Sequence, residues 1–360
     1  MNMVPRRSPW RVAPLLVAAA GLLVLGILGG LQRFGWLSQY PLSGAVARHG
    51  PILVMGFFGT LISLERAVAM GRPWMFLVPL LHAAAGWSLV VSGGVTPWSR
   101  GLTVLAGVSF LALAVAMWRH DRQFHTRVMA TGIVTWTVAS VLWALQVSME
   151  TVVLWWQAFF VLTIAGERLE LGRLTGAAQR FGRWFALAVG VYLLGLLASS
   201  LHPGGGVLVA LGMAGTALWL LRFDVAWVGL RRPGLPRFIA LSLLTGYVWL
   251  LVAAGLDLLP LGRGGYDAQL HSIFMGFVFS MVFGHAPIIF PALLGLPLAF
   301  HPLLYLPLVL LHASVALRVA GGWLNVFSWR ALGGLGNGLA LLLYALVMMG
   351  VRVGERFRRT

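Results

Sequence analysis

The chain has no cysteine and no lysine. Without thiols there can be no structural disulfide, thiolate zinc site, iron–sulfur cluster, thioether-linked haem or thiol catalysis. Any metal must be held by histidine, carboxylate or methionine. Charge is also scarce, at 10% of residues, with nine Asp and Glu against 26 arginines and a net charge of +17. With 59% hydrophobic residues and a mean hydropathy of +0.89, the composition excludes a soluble globular domain. The chain reads as an integral membrane protein.

Long apolar runs fill the space that charge leaves. A hydrocarbon core of about 30 Å needs about 20 apolar residues per helix. Twelve such runs lie near 12–31, 49–68, 75–95, 101–118, 127–147, 151–170, 184–201, 205–222, 237–257, 270–293, 299–319 and 331–351. They are continuous and show no two-residue alternation, so the expected class is all-α and polytopic rather than a barrel. Residues 1–360 then form a single membrane domain. The N-terminal run continues past the small residues of "AAAG" and is expected to be a retained first span, not a cleaved signal.

The arginines report orientation. Only Arg33, Arg48, Arg100, Arg263, Arg318 and Arg330 fall on the side opposite the N-terminus; the other twenty cluster at alternate loop ends and both termini. A bias that follows the spans is the positive-inside pattern. It implies a bacterial cytoplasmic (inner) membrane with both termini cytoplasmic, and anionic membrane lipid, not nucleic acid, as the partner of the basic residues.

Three segments align without gaps: "MGFFGTLISLER" (55–66), "QAFFVLTIAGER" (157–168) and "MGFVFSMVFGHA" (275–286). They fall on spans 2, 6 and 10, each with a polar group ten residues after its first position: Glu65, Glu167 and His285. The equal step of four helices predicts three four-helix units, about 1–120, 121–222 and 223–360, around a pseudo-threefold axis. Glu65 and Glu167 are expected to pair with Arg66 and Arg168 across helices.

Ionisable residues inside spans are costly and mark function. His49 and His271 open spans 2 and 10 at one predicted outer depth, and imidazole is the common neutral ligand of metals and haem. Relative to the aligned "MGF" they differ by two residues, about 200° on an ideal helix. Two symmetry-related helices would use such different faces to address one flat macrocycle, so the pair is expected to ligate one low-spin haem b. His312, in the outer half of span 11, is a further candidate for the haem layer, as are Arg48 and Arg263 for its propionates. Deeper in, His285 precedes Pro287 and Pro291, which are expected to break the helix. With His82 of span 3 it is a candidate for a second metal, copper among them.

With these residues in place the chain resembles subunit I of the haem–copper oxidases. Twelve spans in three groups of four, "HGPILVM" in span 2 and "LHSIFMGFVF" in span 10 carry the likeness. In that family the two matching histidines, here His49 and His271, ligate the low-spin haem. The departures are equally specific. The second span-10 histidine of the oxidases is here Gln269, and spans 6 and 7 contain no histidine for copper, so oxygen reduction at a binuclear centre is not expected. The stretch "HSIFMGFVFSMVFGHA" also resembles the NnrS family of twelve-span haem membrane proteins implicated in tolerance of nitric oxide. The resemblance implies haem and iron, a role in electron transfer or in nitric oxide and respiratory metabolism, and a redox partner or respiratory complex. The competing reading is a multi-pass solute transporter without haem.

Overall fold

In the computed structural model, residues 12–37, 39, 43–259, 262–294 and 300–357 are described. Among them there is no strand, and twelve helices are long and apolar enough to cross a membrane. They are α1 (Ala13–Gln32), α2 (Ala47–Met70), α3 (Pro73–Val91), α4 (Pro97–His120), α5 (Phe124–Ala144) and α6 (Met149–Gly172). The rest are α7 (Gln179–Leu201), α8 (Gly206–Phe223), α9 (Leu235–Asp257), α10 (Gly264–Pro291), α11 (Pro302–Trp323) and α12 (Phe327–Gly350). The protein is all-α and polytopic. Arg6, Arg7, Arg11, Arg358 and Arg359, five of the arginines used to read orientation, lie outside the described residues, as do the side chains of Arg263, Arg352 and Arg356.

By internal contacts the chain divides into two compact units. One is Met1–Arg122 with Ile133–Val152 and Ile288–Leu298; the other is Gln123–Gly132 with Val153–Pro287 and Ala299–Thr360. Helices adjacent in sequence pack as neighbours: α1 on α2 and α3 on α4 in the first unit, α7 on α8 and α11 on α12 in the second. Their outward faces keep large apolar side chains exposed, among them Val17, Leu197, Leu218 and Val309, as lipid contact requires. Trp74, Trp98, Trp184 and Trp323, close to helix ends, are also exposed, the position expected of an interfacial belt.

Burial singles out the three helices that carry the aligned segments. The most apolar window of α6 is 72% buried, that of α10 67% and that of α2 61%, against 22% for α1. Small residues explain the difference, because they let neighbours approach. Gly56 of α2 faces Gly86 of α3, and a Cβ built on Gly56 would stand 3.0 Å from the Gly86 Cα. Its aligned partner in α10, Gly276, lies against the Trp249 ring of α9 with no room for a Cβ.

The sequence gives no warning of what happens at those two glycines. Ile52–Phe58 of α2 and Ser272–Val278 of α10 are both π-helical. The Gly59 N–H donates to the Val54 carbonyl, and the Phe279 N–H donates to the Phe274 carbonyl. Each is an i→i−5 bond, and a shift of 220 residues superimposes one pair on the other, the same shift that aligns "MGFF" with "MGFV". α6 has no such segment. Counting 100° per residue therefore fails between His49 and Met55. The backbone of Arg48 is also non-helical, at φ −123°, ψ 16°, so the expected 200° offset is not the angle between the two imidazoles.

Two other expectations change. α10 starts at Gly264, six residues before the predicted start, because its polar opening residues satisfy one another as described below. Nor is it broken at the prolines: helix continues through Pro287 and Pro291. Proline removes a single N–H from the ladder, whereas the departure from α geometry occurs upstream, in the π segment.

Candidate functional site

His271 is the best-defined of the predicted ligands. It is the last residue before the π segment of α10, and its Nδ1 lies 2.7 Å from the Asp267 carbonyl and 3.3 Å from the Asp267 carboxylate. Both oxygens only accept, so Nδ1 carries the proton and the lone pair resides on Nε2. Asp267 is itself fixed: Arg318 of α11 donates to it through Nε at 3.0 Å and Nη2 at 2.8 Å. A histidine whose second nitrogen is anchored on a carbonyl and a clamped carboxylate has the tautomer and ring orientation of a metal-ligating imidazole. The i,i+4 spacing of Asp267 and His271 was visible in the sequence; Arg318, read there only as an outer-side charge, was not identifiable as their partner.

His312 has a different environment. The Trp249 indole, which can only donate, reaches its Nδ1 at 2.9 Å. Its Nε2, then the protonated nitrogen, lies 2.8 Å from the Thr245 hydroxyl, which in turn donates to the Leu241 carbonyl at 2.6 Å. Both nitrogens are spent on α9. Through the Trp249 ring, His312 is tied to Gly276 inside the π segment rather than presented to a ligand. His285 repeats the pattern of His271 in simpler form, with Nδ1 2.8 Å from the Met281 carbonyl.

In the first unit His82 is 1% exposed. Its Nδ1 donates to the Val78 carbonyl at 2.9 Å. Phe110 and Trp136 pack against the ring with centroids 5.4 and 5.5 Å away. Its Nε2 is buried with no hydrogen-bond partner, an arrangement that costs about 1–3 kcal/mol. Gly59, which closes the π segment of α2, abuts this ring so closely that a Cβ there would collide with it. His49, three residues before the same segment, is half-buried and packs beside Gly30 of α1. Next to it Arg48 is 8% exposed, and its Nε and Nη2 are buried without hydrogen-bond partners. A desolvated, unpaired guanidinium fits the carboxylate of a bound ligand.

Three further polar groups come together in the second unit. Gln157 of α6 and Gln269 of α10, both buried, exchange side-chain bonds at 3.2 and 3.4 Å. Gln269 also donates to Asp257 of α9 at 3.1 Å. In the sequence, Gln269 stood out only as the place where a histidine is missing. Elsewhere Arg168 pairs with Asp224, through Nε at 2.7 Å and Nη2 at 2.8 Å. The expected partnership with a glutamate is replaced because Asp224, fully buried after α8, also accepts from the Tyr247 hydroxyl and the Ala226 N–H.

The predicted histidines thus have separate partners within each unit: His49 and His82 belong to the first, His271, His285 and His312 to the second. Among the described residues no three His, Asp or Glu side chains are grouped as a metal centre. Haem asks less of the protein, one or two axial nitrogens and an apolar slot. No curated protein and no solved structure matches the chain. A family model described as a domain of unknown function, DUF8744, matches residues 11–353, and the chain belongs to that family.

Proposed function

We propose that the protein is a haem-binding membrane protein of electron transfer or of nitric oxide and respiratory metabolism, in which His271 is one axial ligand of a haem b. His49 is a separate candidate ligand, in the first unit. The observation that carries this reading is the pair of register-matched π segments, one directly preceded by His271 and the other beginning three residues after His49. π segments are rare and concentrate at functional sites. The anchoring of His271 by Asp267 and Arg318 supports it in the second unit. In the first, Arg48 beside His49 has two buried nitrogens without partners, a fit for a ligand carboxylate. Bound haem would supply a one-electron iron couple; the chain's own contribution is to orient the imidazole. A location in the bacterial inner membrane with cytoplasmic termini, and a redox partner there, follow from the arginine bias and from the reading itself.

The test is extraction. Because cysteine is absent, the haem should leave purified protein in acidified organic solvent, at close to one equivalent per chain. The buried Asp257–Gln269–Gln157 cluster favours a second reading, a multi-pass solute transporter without haem. Protein that is colourless after expression with ample haem supply would select it.

A further inference from the structure

Beside the ion pair of Arg168 and Asp224, the second unit holds an open cavity of about 550 Å³. It is lined by Thr175 and Gly176 after α6, by Arg180 and Phe181 at the start of α7, and by the end of α8 with Trp227 and Arg231 beyond it. The proposed haem site does not use it.

Its charge is one-sided. Among the described residues Asp224 is the only carboxylate in the lining, and its oxygens are committed to Arg168, Tyr247 and Ala226. Arg180, Arg222 and Arg231 have no carboxylate partner among the described residues. Two of the three are held in place by stacking. The Arg180 guanidinium lies 5.3 Å from the Phe181 ring centre and that of Arg222 5.3 Å from the Phe223 ring centre. Those two rings stack on each other, with centroids 4.3 Å apart and planes 18° from parallel. A guanidinium oriented by an aromatic ring loses less freedom when it binds, and its planar fork matches phosphate oxygens. The start of the α7 helix, which no side chain caps, adds a positive end to the same wall.

We propose that this cavity binds a phosphate group, with Arg180, Arg222 and Arg231 as the three cationic contacts and Trp227 at its rim. Two sources share that chemistry: the headgroup of an anionic phospholipid and a free phosphate. The arginine bias puts this end of the helices at the cytoplasmic leaflet, where anionic lipid is abundant.

The purified full-length protein in neutral detergent would be titrated with dihexanoyl-phosphatidylglycerol, dihexanoyl-phosphatidylcholine and inorganic phosphate, following the thermal midpoint. A saturable rise with phosphatidylglycerol that is absent in R180Q/R222Q/R231Q supports the lipid source; the same behaviour with phosphate alone supports the soluble one. The exposed set R119Q/R122Q/R127Q should keep the rise. Each single Arg→Gln change in the cavity should weaken the apparent affinity about fivefold, a graded readout that survives if the triple variant is unstable. An equal rise with phosphatidylcholine, a rise that persists in the triple variant, or single changes without effect would overturn the proposal.

Discussion

α2 and α10 use the same device in opposite electrostatic settings. Both carry a histidine, then a seven-residue π segment ending in Met-Gly-Phe and one further apolar residue. In α10 the charges near the histidine are closed on each other: Arg318 is consumed by Asp267, and Asp267 holds His271. In α2 the neighbouring charge is left open, since the Arg48 guanidinium is buried with two nitrogens unpaired. Repetition therefore conserves the backbone irregularity, while the histidine is displaced by two residues and the polar shell diverges. α10 pairs its arginine with an aspartate beside the histidine; α2 keeps a buried guanidinium with two nitrogens unpartnered.

The comparison breaks most easily at the arginines. Arg318→Met takes from Asp267 its two-pronged partner in a largely buried place and should cost about 3–5 kcal/mol, most of it recovered in Asp267→Asn/Arg318→Met. Arg48→Met in haem-free protein should leave the unfolding midpoint unchanged or raise it, because no partner is lost. Denaturation of both variants in detergent checks the contrast, and equal losses for Arg48 and Arg318 would end it.

The glycines sharpen it at the next level. Gly56→Ala meets the Gly86 backbone, which cannot yield, and should cost about 1–3 kcal/mol through overpacking. Gly276→Ala meets the Trp249 side chain; the ring must turn, so the loss should come with a broken Trp249–His312 hydrogen bond, visible as altered tryptophan emission relative to a Trp249→Phe control. A smaller effect is expected at His312 itself. His312→Phe strands the Trp249 N–H and should cost about 1–2 kcal/mol, with no change in any haem spectrum, since both its nitrogens are already bonded within the protein. The smallest is Asp257→Asn, which keeps an oxygen for Gln269 and should shift stability by less than about 1 kcal/mol. A large loss there would mean that the carboxylate charge serves a purpose beyond this hydrogen bond.

Twelve helices, and the special standing of α2, α6 and α10, were legible in the sequence because span length and the small-residue-plus-phenylalanine segments are local patterns. The burial of these three helices follows the same residues. The π segments were not legible: no residue type marks them, and they arise where glycine allows close packing around a helix whose register is one bond out of step. The Asp267–His271 spacing was on one helix and could be read, but Arg318 lies 51 residues further along and only folding pairs them. The same holds for Arg168 with Asp224, where the expected partner was a glutamate on another helix and the actual one is an aspartate just after α8. Long-range ion pairs depend on which faces meet, and apolar spans of nearly uniform hydrophobicity do not encode that in their periodicity.

The most direct test of the central claim is the reduced-minus-oxidised absorbance spectrum of the purified protein, recorded for the wild type and His271→Ala. The account predicts sharp six-coordinate b-type bands in the wild type, lost or converted to a five-coordinate form in His271→Ala. Wild-type protein without haem, or a His271→Ala spectrum identical to that of the wild type, would contradict it.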